Sequence, residues 1–185
     1  MNTEKKNRSN LLARECMVSA LMQLLESKPL SAISVTEITK KAGVSRMAYY
    51  RNYTSKEEIF KTYLDDIFAA YKKDNTFLSK EGFCNDKTHM LHCFRYFYAH
   101  RDFIRCLLKS GMGDLLLQAL SIYMTETYYT KSDDITLYYT LCAFAGALYN
   151  TYIAWIDRDT EETAETMADI MCRIFPAPIQ SVRNL

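Results

Sequence analysis

This chain is poor in residues that interrupt helices. Of its 185 residues only five are Gly and three are Pro, and two of the prolines fall after Phe175. A sequence so short of breakers, with apolar residues recurring at helical spacing, predicts an almost wholly helical protein. A long apolar run is also missing. No stretch of 18 apolar residues occurs, so no segment is expected to span a membrane. The first ten residues, MNTEKKNRSN, are polar and carry no apolar core of the signal-peptide kind, so a cytoplasmic location is expected. Six cysteines, at 16, 84, 93, 106, 142 and 172, show no CxxC and no paired spacing. Most sit in apolar helical patterns, where Cys acts as a small hydrophobe, which fits a reducing compartment rather than a disulfide framework.

Histidine is scarce as well. His89 and Cys93 fall one helical turn apart with His92 adjacent, and His100 follows, a spacing acceptable for zinc or copper. No carboxylate or second cysteine completes the set nearby, so neither a metal nor any other cofactor is assigned. There is no GxSxG, no P-loop, no HExxH and no glycine-rich dinucleotide turn, which argues against an enzyme.

What the chain does have is an uneven charge. The formal net charge is +1, but residues 1–60 carry ten Lys/Arg against six Asp/Glu, and residues 61–185 carry thirteen against sixteen. A positive head on a mildly acidic body suits a nucleic-acid reader with a second module. The apolar fraction of 49% supports a substantial core.

The most informative segment is 34–60, SVTEITKKAGVSRMAYYRNYTSKEEIF. Ser34 and Glu37 form a capping box, and Val35, Ile38 and Ala42 share one helical face. Gly43 stands where a left-handed residue can end that helix. Val44 plugs the turn, Ser45 caps a second helix, and Ser55 with Glu58 caps a third. The second helix exposes Arg46, Met47, Tyr50 and Arg51, donors and aromatics suited to phosphates and base edges. Tyr49 is expected to face inward as its apolar anchor. This is a helix-turn-helix, whose second helix enters the major groove. Arg46 leads that helix, where it could pair bidentately with guanine, and Arg51 is assigned to a phosphate. Lys56 sits at a helix N-terminus, where its charge and the free N–H groups both favour a phosphate.

On Ser34-Val35, Ile38, Ala42-Gly43-Val44-Ser45, Tyr49-Tyr50, Tyr53 and Ser55-Lys56, the segment resembles the DNA-binding domain of the tetracycline-repressor (TetR) family of transcriptional regulators. The resemblance covers roughly residues 8–70. Thr39 departs from the family's usual Ala, and Arg51-Asn52 from its common Tyr/Arg-His pair. A Thr there is tolerated if its hydroxyl bonds back to the preceding turn. The resemblance implies base contacts around Arg46, Met47 and Ala48, with Thr36 reaching in from the preceding helix, and a phosphate contact at Tyr50. Ser34 and Ser45 complete the expected DNA-binding set.

The expected architecture is all-α with about nine helices: a helix-turn-helix head over residues 1–55 (motif 34–53) and a helical ligand-binding and dimerisation body over 56–185. The first helix is predicted over 10–27, with Met17, Ala20, Leu21, Leu24 and Leu25 inward. The fourth is predicted over 56–74, with Ile59, Phe60, Tyr63, Ile67 and Ala70 inward. Residues 75–86 read as a connection. Further helices are predicted over 87–99, 101–109, 114–129, 133–156 and 161–175, with a capping turn at Lys131-Ser132-Asp133 and a frayed tail from Pro176.

The last two helices present Leu137, Leu141, Phe144, Leu148, Tyr152, Trp155, Met167 and Met171, more apolar stripe than one hairpin covers. These are the expected dimerisation residues, since helix-turn-helix proteins usually bind two half-sites as dimers. The alternative is that the stripe is the chain's own core. The resemblance agrees with dimerisation through these helices and implies a small ligand in the body that releases DNA, with Tyr96, Tyr123, Tyr128 and Tyr149 as pocket residues. The expected partners are a double-stranded, inverted-repeat operator, a second copy of the chain and a small-molecule inducer of unknown identity. The expected function is thus a ligand-released repressor. The alternative is a regulator without an inducer pocket, controlled by a protein partner or acting as an activator.

Overall fold

The computed structural model describes residues 2–74, 85–129 and 134–179, with side chains from residue 8 onward. Among the described residues there are nine α-helices and no strand. In chain order they are α1 (Asn2–Leu25), α2 (Val35–Ala42), α3 (Arg46–Asn52), α4 (Glu57–Asp74), α5 (Lys87–Ala99), α6 (Arg101–Lys109), α7 (Gly113–Tyr128), α8 (Ile135–Asp157) and α9 (Ala164–Ile174), with one 3-10 turn at Leu30–Ala32. The all-α class is as expected, and no helix is long and apolar enough to cross a membrane among the described residues.

The chain divides into two compact units, residues 1–66 with 106–112 and residues 67–105 with 113–185. The division falls inside α4, not at its start. Asp66, just past the middle of α4, is ion-paired with Arg14 of α1, so α4 up to that residue belongs with the head. In the first unit α1 packs on α2 and α3, and Met17, Leu21, Ile33, Ile38, Tyr49 and Tyr53 are buried. α1 begins eight residues before its expected start, because residues 2–9 are polar and carry no apolar period to read. On α4 the inward stripe includes Phe60, Leu64, Ile67, Phe68 and Tyr71, while Ala70, expected inside, is exposed.

In the second unit α7 packs on α8 and α5 on α9. Here the dimerisation assignment is corrected. Leu137, Leu141, Phe144, Leu148, Tyr152, Trp155, Met167 and Met171 are all buried within the single chain, none more than 7% exposed. Phe94 meets the Trp155 ring edge-on at 5.5 Å, Phe175 meets Phe144 at 4.9 Å, and the Tyr152 hydroxyl donates to the Phe97 carbonyl at 2.6 Å. The stripe is the unit's own core and is not available to a second copy.

The caps fix the helix starts. Asp134 caps α8 by accepting from the Thr136 and Leu137 N–H groups. Residues 75–84 and 131–133, where a connection and a turn are predicted, lie outside the described residues. α9 starts at Ala164, three residues later than predicted, because Asp159 and Thr160 adopt left-handed backbone and Thr163 is the cap. The tail is not frayed through residue 179. Buried Asn85 donates to the Phe175 and Ala177 carbonyls, both at 2.8 Å, and accepts from the Ile179 N–H at 3.0 Å.

Candidate nucleic-acid interface

The α2–turn–α3 geometry follows from its caps. Ser34 Oγ accepts from the Glu37 N–H at 3.2 Å, and Glu37 accepts from the Ser34 N–H at 2.9 Å, which is the predicted capping box. Lys28 from the end of α1 binds the other Glu37 oxygen. The Lys28 bond, with those from Ser34, lowers the Glu37 carboxyl to about 2. Gly43 ends α2 at φ 66°, and its N–H and that of Val44 turn back onto carbonyls of α2. An added Cβ there would meet nothing within 4 Å, so glycine serves the backbone conformation and not a close approach. Thr39 is buried, and its hydroxyl donates to the Val35 and Thr36 carbonyls, the back-bonding that makes a hydroxyl tolerable at the crossing.

Ser45 then caps α3, accepting from the Ala48 N–H at 3.1 Å. Tyr49 is 1% exposed and stacks edge-on against Tyr50 and obliquely against Tyr53, anchoring the helix as expected. The opposite face presents Met47 at 78% and Tyr50 at 54% exposure, with Arg46 and Arg51 also exposed. Arg46 donates to the Tyr50 hydroxyl at 3.2 Å and lies 5.8 Å from its ring centre. Ala48 is half-buried under this face, and Thr36 and Ser34 are exposed on α2.

Two expectations change. Lys56 is turned inward, its ammonium donating to the Leu30 carbonyl at 2.7 Å and the Ile33 carbonyl at 2.8 Å, which leaves one of its three hydrogens. It bolts the turn before α2 to the start of α4. The second capping box is also only half formed. Ser55 accepts from the Glu58 N–H, but the Glu58 carboxylate closes on the Thr54 N–H and hydroxyl.

The structure adds a partnership that residue spacing does not signal. Asn10 of α1 and Asn52 at the end of α3 exchange two amide hydrogen bonds, each 3.0 Å. Arg51 also donates to Asn10 at 3.2 Å. Residues 42 apart in a neutral polar pair have no spacing signature, so only the fold brings them forward.

In the body, the tyrosine hydroxyl of Tyr96 donates to the Ile67 carbonyl, and Tyr96 and Tyr123 both pack on buried Tyr71. Tyr128 meets Tyr123 edge-on, and Tyr149 of α8 is half-buried. A small apolar space of about 20 Å³ is lined by Cys93, Phe94, Phe97, Leu116, Leu120, Leu148 and Tyr152. The histidines serve separate partners. His89 binds the cap residue Asp86, while His92 stacks on Tyr71 at 5.2 Å with Asp74 3.5 Å away. Burial pushes the Cys93 thiol up to about 12, so it is not a ready thiolate ligand. Among the described residues no three His, Cys, Asp or Glu side chains are grouped to hold a metal.

Two capped helices at a glycine turn, the second basic and aromatic on its outer face, define a helix-turn-helix DNA-binding protein. The family description for bacterial regulatory proteins of the tetR family matches residues 17–63, and that for a transcriptional regulator C-terminal region, TetR_C_8, matches residues 85–176. The chain belongs to the TetR family of transcriptional regulators. It is 42% identical over 55 residues to the HTH-type transcriptional regulator EthR of Mycobacterium tuberculosis, a match spanning 29% of this chain and 26% of that protein. The chain thus matches about a quarter of that relative's length. Two solved structures share its fold: Lin0861 from Listeria innocua (TM-score 0.70, 12% identity, 90% of each chain) and the dihydroxyacetone kinase operon activator DhaS (TM-score 0.64, 17% identity, 91% of this chain and 97% of that one).

Proposed function

We propose that the chain is a cytoplasmic, homodimeric regulator without enzymatic activity that binds an inverted-repeat operator through α3, and that it is a repressor released by a small ligand. The observation that carries the DNA-binding reading is the exposed Arg46–Met47–Tyr50–Arg51 face, set by two side-chain caps and a left-handed glycine. Arg46 and Met47, with Ala48 beneath and Thr36 beside them, meet base edges, while Tyr50 and Arg51 meet phosphates.

The dimer surface we assign is the outer stripe of α8: Ile135, Tyr139, Ala143, Gly146, Asn150 and Ala154. These fall on one helical face opposite the buried stripe, and Ile135 and Tyr139 are 59% and 66% exposed. Gly146 in mid-helix costs about 1 kcal/mol relative to Ala. A Cβ there would meet nothing within 4 Å in the chain itself. The close approach of a second helix supplies a reason for the glycine that the single chain does not.

The ligand-release reading is supported by an aromatic interior with polar edges, Cys93 and Tyr152 beside Phe94 and Phe97. Its space, about 20 Å³, holds little more than one water, so a ligand must widen it. That size favours, as a second reading, control through the body's outer surface by a protein partner. The deciding experiment is binding to DNA flanking the chain's own gene, titrated with salt against a random duplex, followed by an inducer screen. Tight binding to one inverted repeat, lost with a small molecule, supports the repressor reading. Tight binding that no small molecule relieves supports the second, and weak binding without sequence preference overturns both.

A further inference from the structure

We propose that Asn10 is a positioning residue for DNA binding: it holds the Arg51 guanidinium, and the last turn of α3, in the pose that meets a backbone phosphate. The proposal rests on the reading of α3 as the DNA-contacting helix. At seven residues α3 is too short to hold its own conformation, since isolated helices need about 12–15 residues even to be marginal. Its start is fixed by Ser45 and its middle by Tyr49. Its end is fixed by the amide pair. Asn52 spends one amide hydrogen on the Ala48 carbonyl at 2.7 Å and directs the other to Asn10, whose own amide donates back to Asn52. The planar Asn10 amide is therefore locked, and its oxygen takes a second bond from Arg51.

The chemistry of the acceptor matters. A carboxylate at position 10 would also hold Arg51, but it would cancel the charge offered to a phosphate. A neutral amide fixes the guanidinium and leaves its full positive charge and its remaining N–H groups facing solvent. An exposed arginine otherwise loses side-chain freedom when it is immobilised, and a side chain held beforehand avoids part of that loss on binding. The simpler account is that Asn10 and Asn52 only fasten α1 to α3, with Arg51 a bystander.

The two accounts separate in a double-mutant cycle on the full chain, using a short random-sequence duplex as the probe because phosphate contacts act on any sequence. Affinity is read by fluorescence anisotropy across a salt series, with thermal melts to confirm folding. Asn10→Ala and Arg51→Ala should each weaken binding by about threefold or more at low salt and reduce the salt slope by about 0.9, the value for one phosphate contact. In the Arg51→Ala background, Asn10→Ala should change neither quantity. Asn10→Asp keeps an oxygen for Arg51 but loses the N–H that Asn10 gives to Asn52, so its melt is compared with that of the alanine variant, and it should reduce the slope as Arg51→Ala does. Unchanged affinity in Asn10→Ala, or an equal loss in both backgrounds, would overturn the proposal while leaving DNA binding intact. Failure of the unsubstituted chain to bind any duplex in a salt-dependent way would instead remove the DNA-binding reading, and this proposal with it.

Discussion

An ammonium group offers three hydrogens, and Lys56 spends two of them on the Leu30 and Ile33 carbonyls. Its loss should therefore register first in folding. Lys56→Ala removes the ammonium donor from the Ile33 carbonyl and from the Leu30 carbonyl, which keeps only the Ile33 N–H, and should lower the stability of the head by roughly 1–3 kcal/mol, read by denaturant titration. An unchanged stability with a salt slope reduced by about 0.9 would return Lys56 to the phosphate backbone. Arg46 makes the opposite case. Its guanidinium meets the hydroxyl and ring of exposed Tyr50, so Arg46→Ala should leave stability nearly unaltered. It should cut the preference for operator over random duplex by about 1–3 kcal/mol. Preserved preference would mean that another residue leads the reading helix. At this scale the sequence is legible wherever a residue acts on near neighbours. Ser34 with Glu37, Gly43, Ser45 and inward Tyr49 all follow from local rules. Lys56, Asn10 and Asn52 act across 23 to 42 residues, and no local rule reaches them.

At the scale of elements, α8 carries apolar residues on nearly every face, so its pattern alone does not say which face meets the chain's own core. A stripe at steps of three and four marks an inward face but does not say whether the interior belongs to one chain or two. Packing of α7 on α8 and α5 on α9 answers for the Leu137–Trp155 stripe, and it leaves the stripe through Gly146 as the outer one. Gly146→Leu tests that assignment with opposite signs. In the single chain the new side chain enters open space and replaces a poor helix former, so the helix should gain up to about 1 kcal/mol. In a dimer it should wedge the helices apart, raising the dissociation constant by at least about tenfold, or 1.4 kcal/mol. Sedimentation at several concentrations reads the second effect and melting of dilute protein the first. A dimer as tight as before by sedimentation places the second copy elsewhere.

For the whole molecule, helix count and class are legible because scarce Gly and Pro and a steady helical period are properties of the entire chain. Partition is less so, since a helix continuous across two units, such as α4, shows no break in its pattern. The same global character governs the response to pH. Burial lowers His92 below its ordinary 6.5, only partly offset by Asp74, and burial lowers His100 likewise. The unfolded chain takes up those protons first, so this stability is present above about pH 6.5 and is lost as the pH falls below it. Glu37, Glu58 and Glu165, held low by hydrogen bonds, extend the loss in the same direction below about pH 4.5.

On the alkaline side the sign reverses. Burial raises Cys93 from 9.0 to about 12 and lifts Tyr71 and Tyr152 above 10.0, so the folded chain keeps protons that the unfolded chain releases. Stability should fall as the pH rises beyond about 9. Thermal melts across pH should thus trace a dome with its plateau between about 6.5 and 9. The two limbs have separate causes, so they can be removed separately. His92→Gln should make the acid limb shallower, leaving the share of His100 and the glutamates, without altering the alkaline limb, whereas Cys93→Ala should make the alkaline limb shallower and leave a small cavity. An acid limb unchanged in His92→Gln would show that His92 takes up its proton as readily when stacked on Tyr71 as it does in the unfolded chain.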